Sequence, residues 1–187
     1  MNEAADDIRV VVVGHDAGLQ GVVVRDHLVG PWPLPAAGYT AHILWGADNP
    51  GALCFPDDGL QAAFTEPAPP VGGLRFAVLL VPPSGAAAQA ASPPPHDGRG
   101  MDNVYVVEGD VPNMHFTATL DLAVVLDGEV IVELDKGRRV HLKAGECLVQ
   151  QGARHSWVNP GDKMAKIAVA VMGVRHESAQ PIRASTT

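Results

Sequence analysis

The stretch from Gly109 to Asn159, GDVPNMHFTATLDLAVVLDGEVIVELDKGRRVHLKAGECLVQQGARHSWVN, decides how this chain folds. Apolar residues alternate with polar ones in short runs, the period of half-buried β-strands. The pattern predicts strands over 113–119, 121–126, 129–134, 138–142, 147–150 and 156–159. Leu126-Asp127-Gly128-Glu129 and Leu134-Asp135-Lys136-Gly137 put Asp and Gly where tight hairpin turns need them, and Lys143-Ala144-Gly145-Glu146 reads as a third turn. Many short strands at even spacing predict an all-β sandwich or barrel.

Two spaced signatures lie in this stretch. Gly109, five residues, His115, one residue, Thr117, three residues, Asp121, six residues and Gly128 form the first. Gly145, six residues, Gly152, two residues, His155, three residues and Asn159 form the second, with sixteen residues between the two. They resemble the paired motifs of the cupin superfamily, G-x5-H-x-H-x3/4-E-x6-G and G-x5-P-x-G-x2-H-x3-N. The first keeps the spacing but has Thr117 and Asp121 at two ligand positions; the second has Gln150 and Gln151 near the usual proline and is one residue shorter. The resemblance implies a double-stranded β-helix, or jelly-roll barrel, over residues 74–174, with 1–73 adding strands or an arm and 175–187 a tail.

Outward from that core, strands are expected at 8–13, 21–25, 40–45, 74–81, 104–107 and 165–172, with Gly14-His15-Asp16-Ala17-Gly18 as a hairpin turn. Residues 82–100 shift to Pro, Ala, Gly and Ser, a composition that reads as a long mobile loop. The formal charge of −8 and the lack of a basic run argue against nucleic acid and anionic membranes as partners. The acidic N-terminus lacks the basic start of a secretory leader, so a cytoplasmic location is expected. Of the two cysteines, Cys147 falls in an apolar run and reads as a buried thiol. Cupins commonly pair through sheet edges, so the resemblance implies a homodimer that binds a small molecule.

In a strand alternate side chains share a face, so His115 and Thr117 point the same way, into the barrel by the resemblance. His115, Asp121 and His155 then offer two imidazoles and a carboxylate, the composition of a facial triad for a divalent metal such as Fe, Mn, Ni or Zn. The other chemistry needs no metal. In an apolar barrel Asp121 and His155 act as base and acid, with His115 third, in a dehydration, isomerisation, cyclisation or decarboxylation. A metal-dependent dioxygenase and a non-catalytic ligand sensor are the other functions considered. Thr117, Trp157, Gln150 and Arg75 are the candidate substrate contacts, Arg75 reaching an anion from the rim. Asn159 is read as structural, and His15, His42, His141 and His176 as lying outside the site.

Overall fold

The computed structural model describes residues 7–34, 39–52, 64, 66–87, 104–106 and 113–175. Thirteen strands run through them: β1 (Ile8–His15), β2 (Gly21–Val29), β3 (Trp32–Pro33), β4 (Thr40–Ala47), β5 (Leu74–Val81), β6 (Val104–Val106), β7 (His115–Thr117), β8 (Thr119–Asp127), β9 (Glu129–Leu134), β10 (Arg138–Lys143), β11 (Cys147–Gln151), β12 (His155–Val158) and β13 (Ala165–Gly173). One helical turn, Ser84–Ala87, and two 3-10 turns are the other regular elements among the described residues. The molecule is all-β, as the strand spacing predicts.

Two sheets face each other, five strands in the order β10-β9-β12-β7-β6 and six in the order β11-β8-β13-β5-β4-β3. Alternation builds the core between them. Val130, Val132, Leu142 and Trp157 come from the first sheet, and Val81, Ala123, Val125, Ala165 and Ile167 from the second. Gly128 turns the chain from β8 to β9 at φ +74°, and its missing side chain leaves room for Ala165, whose Cβ would lie 3.3 Å from an added one. The left-handed conformation and the close approach both ask for glycine, which explains the residue that closes the first motif. Asn159 is wholly spent on structure: its amide donates to the carbonyls of Val81 and Lys163, at 2.8 and 2.7 Å, and accepts from the Gly161 amide at 2.8 Å.

The described residues before β5 add strands in two ways. Strands β3 and β4 extend the six-stranded sheet beyond β5. Strands β1 and β2 form a separate hairpin, in which Ile8, Val10 and Val29 pack on Leu44, Val78 and Leu80, on the sheet's outer face. The expected mobile loop falls mostly on residues 88–100, and Val107, Cys54 and His176 likewise lie outside the described residues.

One expectation is overturned. Cys147 is exposed rather than buried. In edge strand β11, Leu148 and Gln150 line the interior, so period-2 alternation sends Cys147 and Val149 outward.

Beneath the hairpin lies a polar anomaly. His42 alternates with the interior residues Ala41 and Ile43, so it faces the hairpin side; it is 0% exposed and, among the described residues, neither ring nitrogen has a hydrogen-bond partner. His27, opposite Val10 in the hairpin, has an unpartnered buried Nδ1. Buried polar atoms without partners cost stability, so His42→Leu is expected to raise the free energy of unfolding by about 1 kcal/mol in chemical denaturation. A loss of stability of similar size would show that the imidazole is needed there.

Candidate active site

The two facing sheets enclose a cavity of about 440 Å³, within the range of small-molecule sites. Leu34, Ile43, Leu79, Leu148, Ile167 and Val169 are among its apolar walls, and His115, Thr117, Thr119, Asp121, Gln150 and His155 bring polar groups from β7, β8, β11 and β12. Strand register brings them together. His115 of β7 is the direct cross-strand partner of His155 of β12, and Asp121 of β8 is that of Gln150 of β11. The imidazole centroids stand 4.3 Å apart, and Trp157 meets His155 edge-on at 6.0 Å.

The hydrogen bonds assign the protons. His115 Nδ1 is 2.8 Å from the Asn113 carbonyl and His155 Nδ1 is 2.9 Å from that of Ala153. A carbonyl only accepts, so both Nδ1 atoms carry hydrogen and both Nε2 atoms carry a lone pair in the neutral rings. Gln150 Nε2 lies 3.1 Å from Asp121 Oδ2 and 3.3 Å from His155 Nε2. Its two neighbours are acceptors, so the amide NH₂ belongs there and donates to both. Among the described residues, Gln150 Oε1 and Asp121 Oδ1 are left buried without a partner.

Burial pushes these groups toward their neutral forms. It raises the Asp121 carboxyl against the opposing hydrogen bonds from Thr119 and Gln150. It lowers His115, and it lowers His155 to about 4, with the neighbouring His115 charge as the second cause. A resting proton donor at His155 is therefore disfavoured at neutral pH, which reverses the acid role read from the sequence. The physical reason is desolvation, which the motif does not encode.

The four candidate substrate contacts all border the cavity. The Thr117 and Thr119 hydroxyls are 2.6 Å apart. Arg75 is committed elsewhere: only 1% exposed, it bonds Asp48 at 2.5 Å and the carbonyls of Glu66 and Leu74, and stacks over Phe64. The reach toward an anion at the rim is corrected accordingly. His15 and His141 lie off the cavity, the latter pairing with Glu129. Sequence reasoning missed Tyr39 and Thr119. Buried Tyr39 lines the cavity and donates its hydroxyl to the Trp157 carbonyl, tying the chain just before β4 to β12. The only signal for it is its position two residues before the inward Ala41.

Each histidine has the Nδ1-to-carbonyl bond common to metal-ligating imidazoles. The third ligand is not delivered. The Gln150 amide stands between Asp121 and His155, and no three His, Cys, Asp or Glu side chains converge in ligating geometry among the described residues. The facial triad read from the motif does not form, because the shorter aspartate bonds to the amide.

Residues 104–172 match the family described as Cupin domain. The chain carries a cupin domain. Over 52 residues it is 40% identical to oryzines biosynthesis cluster protein J of Aspergillus oryzae, covering 28% of this chain and 29% of that protein. Over 56 residues it is 48% identical to phomopsin biosynthesis cluster protein C' of Diaporthe leptostromiformis, 30% of each. The chain thus aligns with less than a third of these relatives' length. Among solved structures, the polyketide cyclase RemF of Streptomyces resistomycificus is similar at a TM-score of 0.41 and 15% identity, over 80% of this chain and 82% of that one. No helix among the described residues is long and apolar enough to cross a membrane.

The shifts have opposite consequences for stability. The unfolded chain's histidine titrates near 6.5, so between there and 4 it takes up a proton that folded His155 refuses. The contribution is whole above that unfolded value and is lost as the pH falls through 4, about 3 kcal/mol in all. Asp121 runs the other way: its raised pKa stabilises the fold below the unfolded value and the benefit is lost as pH rises. Asp121→Asn is therefore expected to raise the melting temperature at neutral pH, with the gain vanishing in acid. Calorimetry across pH reads both trends, and equal destabilisation of Asp121→Asn at every pH would refute the desolvation reading.

Proposed function

We propose that this cupin is a small-molecule enzyme that moves a proton within its substrate, catalysing an isomerisation or a dehydration in the barrel cavity. One observation carries the reading. A carboxylate of raised proton affinity, Asp121, has one oxygen held by Gln150 and the other unpartnered among the described residues, on the wall of an apolar cavity. Such a group is a general base whose conjugate acid is favoured by the same burial.

Asp121 Oδ1 takes a proton from a C–H or O–H of the substrate. Gln150 fixes the orientation of the carboxylate and of the His155 ring through its two N–H bonds. His115 and His155, held neutral by burial, add acceptor character without adding charge. Protonated Asp121 then returns the proton to another substrate atom. Delivered to carbon, it completes an isomerisation; delivered to a leaving hydroxyl, it releases water. The apolar wall excludes bulk water from the exchange. The names of the two relatives, each a biosynthesis cluster protein, support a substrate from small-molecule biosynthesis.

Hydrogen–deuterium exchange at carbon 2 of 2-hydroxy-1-tetralone, an apolar bicyclic ketol, tests the proposal. In D2O the protein should accelerate exchange, with chelator present, and Asp121→Asn should lower the rate by about 100-fold. Exchange no faster than in buffer, or unchanged in the variant, counts against proton transfer. Tight binding of the ketol without exchange would point to a ligand-binding barrel instead.

A further inference from the structure

The polar patch of the cavity is unbalanced in its hydrogen bonding. The donors around Asp121 and the two imidazoles are taken: the two imidazole Nδ1–H groups by carbonyls, both amide N–H bonds of Gln150 by Asp121 and His155, the Tyr39 hydroxyl by Trp157, the Thr119 hydroxyl by Asp121 and the Thr117 hydroxyl by Thr119. The guanidinium of Arg75 already has a carboxylate, Asp48, and two carbonyls. What is left over is acceptors. Asp121 Oδ1 and Gln150 Oε1 have no partner among the described residues, and His115 Nε2 keeps its lone pair. The two unpartnered oxygens belong to side chains that line the same cavity and are joined by a 3.1 Å hydrogen bond on directly paired strand positions.

We infer that the cavity selects an uncharged ligand with an apolar ring body and two neighbouring O–H or N–H donors, as in a catechol, an enediol or a hydroxy-amide, and rejects carboxylates of the same size. Each donor satisfies a buried acceptor that water-exposed ligand groups would otherwise leave orphaned. A carboxylate offers only acceptors, beside Asp121 and two neutral imidazoles, and finds repulsion where the diol finds partners. The apolar wall supplies the remaining affinity but no choice between such ligands.

The inference rests on this cavity being the substrate site proposed above, but it concerns binding alone, so it can fail while proton transfer stands, and the reverse. Four probes of one shape test it: 2,3-dihydroxynaphthalene, 2-naphthol, naphthalene and 2-naphthoate, titrated against 15N-labelled protein by NMR with EDTA present to remove metal-mediated binding. Affinity is expected to rise about tenfold with each donor, from naphthalene to the diol, with 2-naphthoate no tighter than naphthalene. Gln150→Leu should cost the diol about tenfold while leaving naphthalene unchanged; retained naphthalene binding shows that the variant's cavity is folded. If the variant loses naphthalene binding, Asp121→Asn, which puts an amide N–H among the acceptors, gives the second reading by the same loss of diol preference. Equal binding of all four probes, a preference for the carboxylate, an undiminished diol preference in both variants, or no binding of the diol would each overturn the inference.

Discussion

The amide of Gln150 sits between a carboxylate and an imidazole, donating to both, and the chemistry of the cavity depends on that placement. Without it, Asp121 would keep its bond from Thr119 and His155 its bond to the Ala153 carbonyl, with nothing to join the two groups across the apolar space. The amide is itself placed by strand pairing, opposite Asp121 in the ladder of β8 and β11. Because the side-chain period of a strand is two, a slip of one residue in that ladder would send Gln150 outward and bring a valine or a second glutamine into its position. Register therefore decides a chemical property, the direction in which one carboxylate oxygen remains free.

The same cavity imposes opposite demands on its ionisable groups. An apolar wall that suits a small organic ligand withdraws solvation from Asp121, His115 and His155 alike. The carboxyl gains proton affinity and the imidazoles lose it, so the groups draw toward a common neutral state. Each effect acts against the fold at its own end of the pH scale, the imidazoles in acid and the carboxyl above its unfolded value. The His115–His155 pairing sharpens it, since a charge on one ring disfavours a charge on its neighbour 4.3 Å away.

The N-terminal strands complete the barrel rather than decorate it. Strand β4 supplies Ala41 and Ile43 to the cavity, and the chain before it supplies Tyr39. Arg75 and Asp48 clamp the end of that sheet, with Phe64 stacked on the guanidinium. Gly46 lies so close that a Cβ there would come within 2.6 Å of Arg75 Cδ. An arginine at the start of an apolar strand thus serves packing at the mouth of the barrel, where its charge is already matched.

The sequence by itself determined the strands, the turns and the barrel. Glu129–Leu134 and Leu74–Val81 fall where the alternation puts them, because a period-2 pattern bounded by turn residues admits few other structures. That His115, Asp121 and His155 share one interior was implied by the resemblance of the motifs to those of cupins, whereas strand period alone gives only that His115 and Thr117 share a face. Tertiary structure decided the rest. Whether three groups converge on one point depends on register and on which neighbour reaches in, so only the assembled sheets place the Gln150 amide between Asp121 and His155. Whether Cys147 is buried depends on the edge position of β11, and whether Arg75 is free depends on Asp48, 27 residues away along the chain. The proton affinities come last of all, because desolvation is a property of the closed cavity and of no local segment of the chain.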